Sequence, residues 1–219
     1  LIVGNQGCAD TAFHTIDVSP LPDISFSADD VCFGLPVDFQ NNNSVQTGNL
    51  VKTYWDYGDG SPIDSGNATY APNHVYGQAG NYTVWCSAKS NQGCISTDQI
   101  LVKVYHLPKA KFTVNNSCQF QTTSFVDQST VSGAQMSTWA WDFGDNGDSA
   151  FIRHPSHDYM VNGYVGVSLK VISSFGCMDD TLAYIEIFPT PVTEFNYQNK
   201  VCLGDTLNLE SMSTVAYGN

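Results

Sequence analysis

The chain has 219 residues, and its net charge of −13 comes from 21 Asp and Glu against only eight Lys and Arg. Such an acidic surface repels the phosphates of nucleic acids and of anionic lipid head groups, which excludes binding to nucleic acid and docking on acidic membranes. No apolar run approaches the roughly 20 residues that cross a bilayer, so we expect no direct membrane insertion. No basic signal-peptide segment opens the sequence, so an export signal is expected outside this stretch.

Six of the seven cysteines form two interleaved series that reveal an internal repeat. The series that follows glycine is Cys8, Cys94 and Cys177, and the other is Cys32, Cys118 and Cys202. The spacings are 86 and 83 residues in the first series and 86 and 84 in the second. A period of about 85 residues is the size of a whole domain, so the sequence predicts domains in tandem.

The repeat register divides the chain into four segments. Near the start, His14, Ile16 and Val18 alternate as a half-buried strand does. Near the end, strands are predicted at Glu194–Tyr197 and Thr206–Leu209. The predicted segments are the last strand of one repeat (1–21), a first complete repeat (22–106), a second complete repeat (107–190) and the first strands of another (191–219). Neighbouring repeats of the same chain are therefore the expected partners on both sides.

A proline opens each repeat and a phenylalanine follows four residues later. The prolines are Pro22, Pro108 and Pro191, and the phenylalanines are Phe26, Phe112 and Phe195. The fixed φ and missing N–H of proline suit a short, stiff passage from one domain into the next.

A later strand alternates apolar residues with period two in both repeats. Its core-facing residues are Tyr82, Val84, Cys86 and Ala88 in the first repeat and Val165, Val167, Leu169 and Val171 in the second. Because Cys86 takes the place of Leu169, it is predicted to be a buried free thiol that fills space. Many short alternating runs, with no sustained helical period, predict an all-β chain of antiparallel β-sandwiches.

The middle strand of each repeat ends in a turn rich in aspartate and glycine. The turn reads Trp55-Asp56-Tyr57-Gly58-Asp59 in the first repeat and Trp141-Asp142-Phe143-Gly144-Asp145 in the second. Each tryptophan is predicted to fill the space between two sheets, and the aspartates to accept backbone hydrogen bonds. The alternative is a Ca²⁺ site at Asp56 and Asp59, or at Asp142 and Asp145, since hard cations prefer clustered oxygen ligands.

The residues after this turn carry a resemblance to a known family. They are Pro72, His74, Tyr76, Gly80, Tyr82 and Val84 in the first repeat and Pro155, His157, Tyr159, Gly163 and Val165 in the second. The whole pattern resembles the polycystic kidney disease (PKD) domain. The resemblance implies tandem Ig-like antiparallel β-sandwiches arranged end to end. His74 and His157 occupy one repeat position, which indicates a structural role.

The two cysteine series resemble a narrower variant of this domain, found in large secreted proteins of Bacteroidetes that include gliding-motility adhesins exported by type 9 secretion. The resemblance implies an extracellular or cell-surface location and partners in the surface-anchoring or secretion machinery. It also implies O-glycosylation of Asp-Ser/Thr-apolar triplets. These would carry glycans on Thr11, Ser149, Thr181 and Thr206.

Two cysteines per repeat in an exported chain favour disulfide bonds, although spacing alone leaves the pairing open. A pairing within one repeat would span a strand of about 20 Å, beyond the roughly 7 Å that a disulfide allows between Cα atoms. We therefore favour Cys32 with Cys177, which leaves Cys8, Cys94, Cys118 and Cys202 to partners in other repeats. The alternative pairs Cys32 with Cys94 and Cys118 with Cys177.

No known catalytic motif appears in the sequence, so we expect neither enzymatic activity nor a cofactor. The favoured function is a non-catalytic spacer or stalk of a large secreted cell-surface adhesin. The alternatives are a module that binds glycan or protein and an accessory domain of a secreted enzyme. Trp85 and Trp139 are predicted to lie on the strand face opposite the core, and their joint exposure on one flat surface would favour glycan binding.

Overall fold

The computed structural model describes residues 1–115, 117–145 and 147–215, and these residues form strands, turns and loops without a helix. The all-β fold class is thereby confirmed. No helix that could span a membrane is found in the described part of the chain. The chain divides into two compact units, Leu1–Val104 and Tyr105–Asn219.

The strands of the first unit are short at its start and long at its end. They are β1 (Ile2–Asn5), β2 (Cys8–Thr11), β3 (Phe26–Ser27), β4 (Val31–Cys32), β5 (Val37–Asp38), β6 (Gln40–Asn41), β7 (Leu50–Asp56), β8 (Asp64–Gly66), β9 (Asn73–His74), β10 (Gly80–Ser90) and β11 (Ile95–Tyr105), whose last residue belongs to the second unit.

The repeat in the second unit likewise has shorter strands at its start and two long strands at its end. The strands of this unit are β12 (Phe112–Asn115), β13 (Thr122–Asp127), β14 (Met136–Asp142), β15 (Ser149–Ala150), β16 (Ser156–Asp158), β17 (Gly163–Ser173), β18 (Met178–Ile187), β19 (Phe195–Tyr197) and β20 (Leu209–Ser211).

A five-stranded sheet with the order β4-β11-β10-β7-β8 forms one layer of the first unit. Two small antiparallel ladders, β3 with β6 and β5 with β9, supply residues that pack against it. Phe26 of β3 and Val37 of β5 meet Trp55 and Val84 of the large sheet in one core. The result is a sandwich in which the long strand β10 buries alternate side chains.

The second unit has the same two-layer plan, and each layer is one continuous sheet. One sheet has the order β15-β14-β17-β18, and the other has the order β12-β13-β16. Phe125 from the second sheet packs with Trp141, Val167 and Leu169 from the first.

Period-two alternation accounts for the long hairpin strands. Along β10, Val84, Cys86 and Ala88 are completely buried, and along β17 Val167, Leu169 and Val171 are completely buried. Cys86 is free, so the predicted space-filling thiol is confirmed. Burial raises the pKa of this thiol, and a hydrogen bond from Asn43 opposes that effect only in part. The raised pKa keeps the thiol protonated and unreactive.

Each repeat-opening proline stands directly before or beside a short antiparallel bridge. The bridges join Asp23 to Ser44, Lys109 to Thr130 and Val192 to Thr214. The chain therefore enters each repeat in the same way, as the shared proline position predicts.

The two ends of the chain differ in detail from the predictions. Strand β2 ends at Thr11, and Ile16 and Val18 are exposed, because no strand among the described residues pairs with this segment. Near the other end, β19 pairs with β20, whose bounds Leu209–Ser211 lie further along the chain than predicted. Alternation alone does not make a strand, since its backbone groups also need a neighbouring strand.

Candidate functional site

The acidic turn after β7, and its copy after β14, is the part of each repeat richest in polar chemistry. Asp56 ends β7, and its Oδ1 accepts a hydrogen bond from the backbone N–H of Gly58 at 2.9 Å. Asp142 ends β14 and accepts the same bond from Gly144 at 2.9 Å. These are the backbone hydrogen bonds predicted for the two aspartates, and they close the turn locally.

The glycines of these turns are required by space as well as by conformation. Gly58 has φ of 73°, and a Cβ added there would overlap the carbonyl oxygen of Thr83. Gly144 has φ of 77°, and a Cβ there would overlap the carbonyl oxygen of Gly166. The turn thus packs directly onto the backbone of the neighbouring long strand, which only glycine permits.

A histidine in a short strand, β9 in the first repeat and β16 in the second, braces each turn. His74 Nε2 lies 2.7 Å from Asp59 Oδ2, and its ring stacks on Tyr57 with centroids 4.0 Å apart. Edge-on contact with Tyr76 at 4.7 Å holds the other side of the imidazole. The ring is thereby fixed by packing and the turn by the hydrogen bond.

The second repeat reproduces this arrangement. His157 Nε2 lies 2.7 Å from Asp145 Oδ2, and the ring stacks on Phe143 with centroids 4.4 Å apart. Tyr159 contacts the imidazole edge-on at 4.6 Å and donates a hydrogen bond to the carbonyl of Phe143. Two independent copies with one geometry support the structural role expected of the histidines.

Asp59 accepts hydrogen bonds from two neighbouring residues. Its Oδ1 accepts hydrogen bonds from the backbone N–H of Ser61 at 3.0 Å and from its hydroxyl at 2.6 Å. Burial acts to raise the pKa of Asp59, but the hydrogen bonds from Ser61 and His74 outweigh it and lower the pKa to about 2. Asp59 is therefore ionised at every physiological pH.

The Asp59→Asn variant is expected to lower the free energy of unfolding at neutral pH by about 1 kcal/mol, because Asp59 is exposed and solvent screens its interactions. The folded-state pKa lies below the unfolded one, so the contribution is present above about pH 4 and is lost as the pH falls towards 2. Urea unfolding at a series of pH values measures it. A difference between the two proteins that stays constant down to pH 2 would contradict this origin.

A second carboxylate network, which the sequence did not indicate, lies beside the first turn. Asp64 Oδ2 accepts hydrogen bonds from the hydroxyls of Tyr70 at 2.6 Å and Tyr57 at 3.0 Å. The hydrogen bond from Tyr70 is the main cause that lowers the pKa of Asp64. The second repeat has Phe143 in the place of Tyr57 and cannot form this network.

The Ca²⁺ sites at Asp56 and Asp59 and at Asp142 and Asp145 stay predictions. Asp56 and Asp142 are engaged with backbone N–H groups, while Asp59 is engaged by Ser61 and His74. Among the described residues, one group of three potential metal ligands occurs, made of Asp145, Asp148 and His157. The sequence did not indicate Asp148 as a potential metal ligand, because its closeness to Asp145 and His157 depends on the path of the turn.

The six repeat cysteines separate into bonded and free thiols. Cys32 and Cys177 are disulfide-bonded, whereas Cys8, Cys94, Cys118 and Cys202 are free. The alternative pairing of Cys32 with Cys94 and of Cys118 with Cys177 is therefore wrong.

The strand register gives the physical reason for this correction. Strand β4, which contains Cys32, pairs with β11, and Asp30 beside it binds Lys103 near the far end of that strand. Cys94 precedes the near end of β11, which puts about 30 Å between the two cysteines. In the second repeat, the backbone of Cys118 forms an isolated β-bridge with Phe188, just after the end of β18, whereas Cys177 lies just before its start. The length of β18 therefore separates Cys118 from Cys177.

The two tryptophans named as a test of glycan binding differ in the strand face that each occupies. Trp85 is 42% exposed, on the face opposite the core. Trp139 instead packs against the core cluster of the second repeat, with Arg153 lying 5.8 Å above its ring. The prediction for Trp139 is wrong, because side chains two apart in a strand share one face and Trp141 points into the core.

Three of the four hydroxyls predicted to carry glycans are exposed. Thr11, Ser149 and Thr206 are exposed, and Thr181 is half-buried in β18. Accessibility is necessary for modification, so the prediction for Thr181 has the least structural support.

Comparison with known proteins is consistent with this architecture. The family model described as PKD domain matches residues 17–104 and 105–187, which is more than half of the chain. Similar solved structures include the PKD1 domain of Vibrio anguillarum Epp, with 26% identity, a TM-score of 0.36, and coverage of 38% of this chain and 95% of that one.

Two further solved structures show similar relationships. The PKD1 domain of the Vibrio cholerae metalloprotease PrtV has 25% identity and a TM-score of 0.34, over 37% of this chain and 96% of that one. The fibronectin(III)-like modules of Clostridium thermocellum CbhA have 16% identity and a TM-score of 0.39, over 77% of this chain and 95% of that one. PKD domains are generally non-catalytic extracellular modules, and the disulfide-bonded cysteines fit an exported protein. From the two family matches and the two like-built units, the chain belongs to the PKD domain family and carries two such domains in tandem.

Proposed function

We propose that this chain is a non-catalytic spacer within a large secreted cell-surface adhesin, of the kind that serves gliding motility, held by surface-anchoring or secretion machinery. The main support is that the acidic turn occurs in both repeats and that its histidine makes the same contacts in each. His74 and His157 each stack on an aromatic ring and bind an aspartate at 2.7 Å. Side chains used in this way brace a fold and are not free to react.

The spacer function also requires that neighbouring repeats resist bending. We propose that Cys32 is bonded to Cys177, so that each repeat is tied to the next. The support is that both cysteines are disulfide-bonded and that the partners within their own repeats are free. The same rule assigns Cys94 and Cys118 to other repeats of the array. A covalent tie of this kind restricts the freedom of the linker between domains.

Reduction of the disulfide is expected to make this chain more flexible without unfolding either repeat. Small-angle X-ray scattering before and after reduction measures this as a broader distribution of interatomic distances. The Cys32→Ser variant is expected to behave as the reduced protein does. The matched control is Cys118→Ser, at the same repeat position but free, which should leave the scattering unchanged.

Peptide mapping without reductant tests the pairing separately. A disulfide-linked peptide pair containing Cys32 and Cys177 is the expected result. A different partner for Cys32 would contradict the pairing, whereas unchanged scattering after reduction would contradict the stiffening role.

The alternative of a glycan- or protein-binding module draws on exposed aromatic side chains. Tyr164 and Tyr184 are each 74% exposed on neighbouring strands of the second repeat. The tryptophan surface that would have favoured glycan binding does not form, because Trp139 lies against the core. The spacer therefore has the stronger support.

A further inference from the structure

The turns of the two repeats differ at one carboxylate oxygen. In the first repeat, Asp59 Oδ1 accepts two hydrogen bonds from Ser61. In the second, Gly147 stands in the place of Ser61 and offers no hydroxyl. Asp145 Oδ1 is buried and has no hydrogen-bond partner among the residues that the structure describes. An orphaned carboxylate oxygen away from water is costly unless a donor or a cation satisfies it.

The second repeat adds another carboxylate where the first has none. Asp148 takes the place of Pro62, and its carboxylate lies within 4.8 Å of ligand atoms of Asp145 and His157. Two carboxylates this close repel each other unless a positive charge lies between them. Among the described residues, neither carboxylate forms an ion pair with Lys or Arg, and Arg153, the single arginine of the chain, binds Asp127 instead.

We propose that Asp145, Asp148 and His157 form a binding site for a divalent transition-metal ion such as Zn²⁺. Two carboxylate oxygens and one imidazole nitrogen are a ligand set that this ion accepts, with water completing a tetrahedron. An imidazole ligand favours such an ion over Ca²⁺, which prefers oxygen alone. The first repeat has no third ligand, so the site belongs to the second repeat only.

The geometry requires a small adjustment when the ion binds. His157 Nε2 and Asp145 Oδ2 are 2.7 Å apart, whereas two ligands on one tetrahedral Zn²⁺ are about 3.3 Å apart. Because His157 is held by Phe143 and Tyr159, the Asp145 carboxylate makes this adjustment, while Asp148 supplies an exposed carboxylate. The ion would thus join the turn to β16 in place of a single hydrogen bond.

Isothermal titration of the chelator-treated chain with Zn²⁺ tests the site, after alkylation of the exposed thiols so that they cannot bind the ion. We expect saturable binding that the Asp148→Asn variant weakens at least about tenfold. The matched control is Asp158→Asn, an exposed aspartate next to His157 outside the group, which should bind as the unaltered chain does. Nitrogen NMR of the His157 ring should show a shift on Zn²⁺ addition that is lost in Asp148→Asn.

Three results would overturn the proposal. They are the absence of saturable Zn²⁺ binding, equal affinity in the unaltered chain and Asp148→Asn, and tighter binding of Ca²⁺ than of Zn²⁺ with the same dependence on Asp148. The spacer function does not depend on this site, so failure here leaves it standing.

Discussion

Replacement of Trp141 by alanine is expected to destabilise the second repeat by about 3–5 kcal/mol. The side chain is 1% exposed and contacts Phe112 and Phe125 with ring centroids 5.2 and 5.6 Å away. Its indole N–H also donates a hydrogen bond to the carbonyl of Ile152 at 3.0 Å. The variant leaves that carbonyl without this donor. Since whole domains are stable by only about 5–15 kcal/mol, this single change brings the repeat close to unfolding.

Denaturant unfolding followed by circular dichroism measures the effect independently of tryptophan fluorescence. The control is Trp85→Ala, which removes the same side chain from a site that is 42% exposed and should cost less than about 1 kcal/mol. If both variants lose the same stability, the packing of Trp141 between the sheets is not the main support of the core.

The Gly58→Ala variant is expected to lower the free energy of unfolding of the first repeat by about 2–5 kcal/mol. The left-handed conformation costs an alanine about 1–2 kcal/mol, and the overlap with the Thr83 carbonyl adds about 1–3 kcal/mol of strain. Because the overlap is with backbone, no side-chain rotation relieves it.

Gly60→Ala separates these two causes by thermal and urea unfolding. Gly60 has φ of 84° but no atom within 4 Å of an added Cβ, so only the conformational cost of about 1–2 kcal/mol applies. Equal losses in the two variants would show that close approach to β10 contributes nothing.

Features with a local signal were predictable from the sequence. The burial of Trp55, Trp141 and Cys86 follows from alternation along a strand, which needs only neighbouring residues. Asp56 and Asp142 bind N–H groups two residues away, so the turn sequence already contains both partners.

Features that depend on distant segments were not predictable in the same way. Asp64 meets Tyr70 and Tyr57 only because β8 pairs with β7, and the loop after it folds back. Asp148 joins His157 only through the path of the turn between β14 and β15. The wrong prediction for Trp139 had a different origin. Trp139 and Trp141 are two residues apart in one strand, so the sequence already placed them on the same face.

The buried thiol of Cys86 has a consequence for an array under mechanical load. It is sealed in the core of the first repeat, whereas Leu169 occupies the matching position in the second. When the first repeat unfolds, this sulfhydryl is exposed and can exchange with a disulfide, forming a mixed disulfide and releasing the other sulfur as a thiol. The group then attached to Cys86 has no room in the closed core and would hinder refolding, whereas Leu169 at the matching position of the second repeat has no such chemistry.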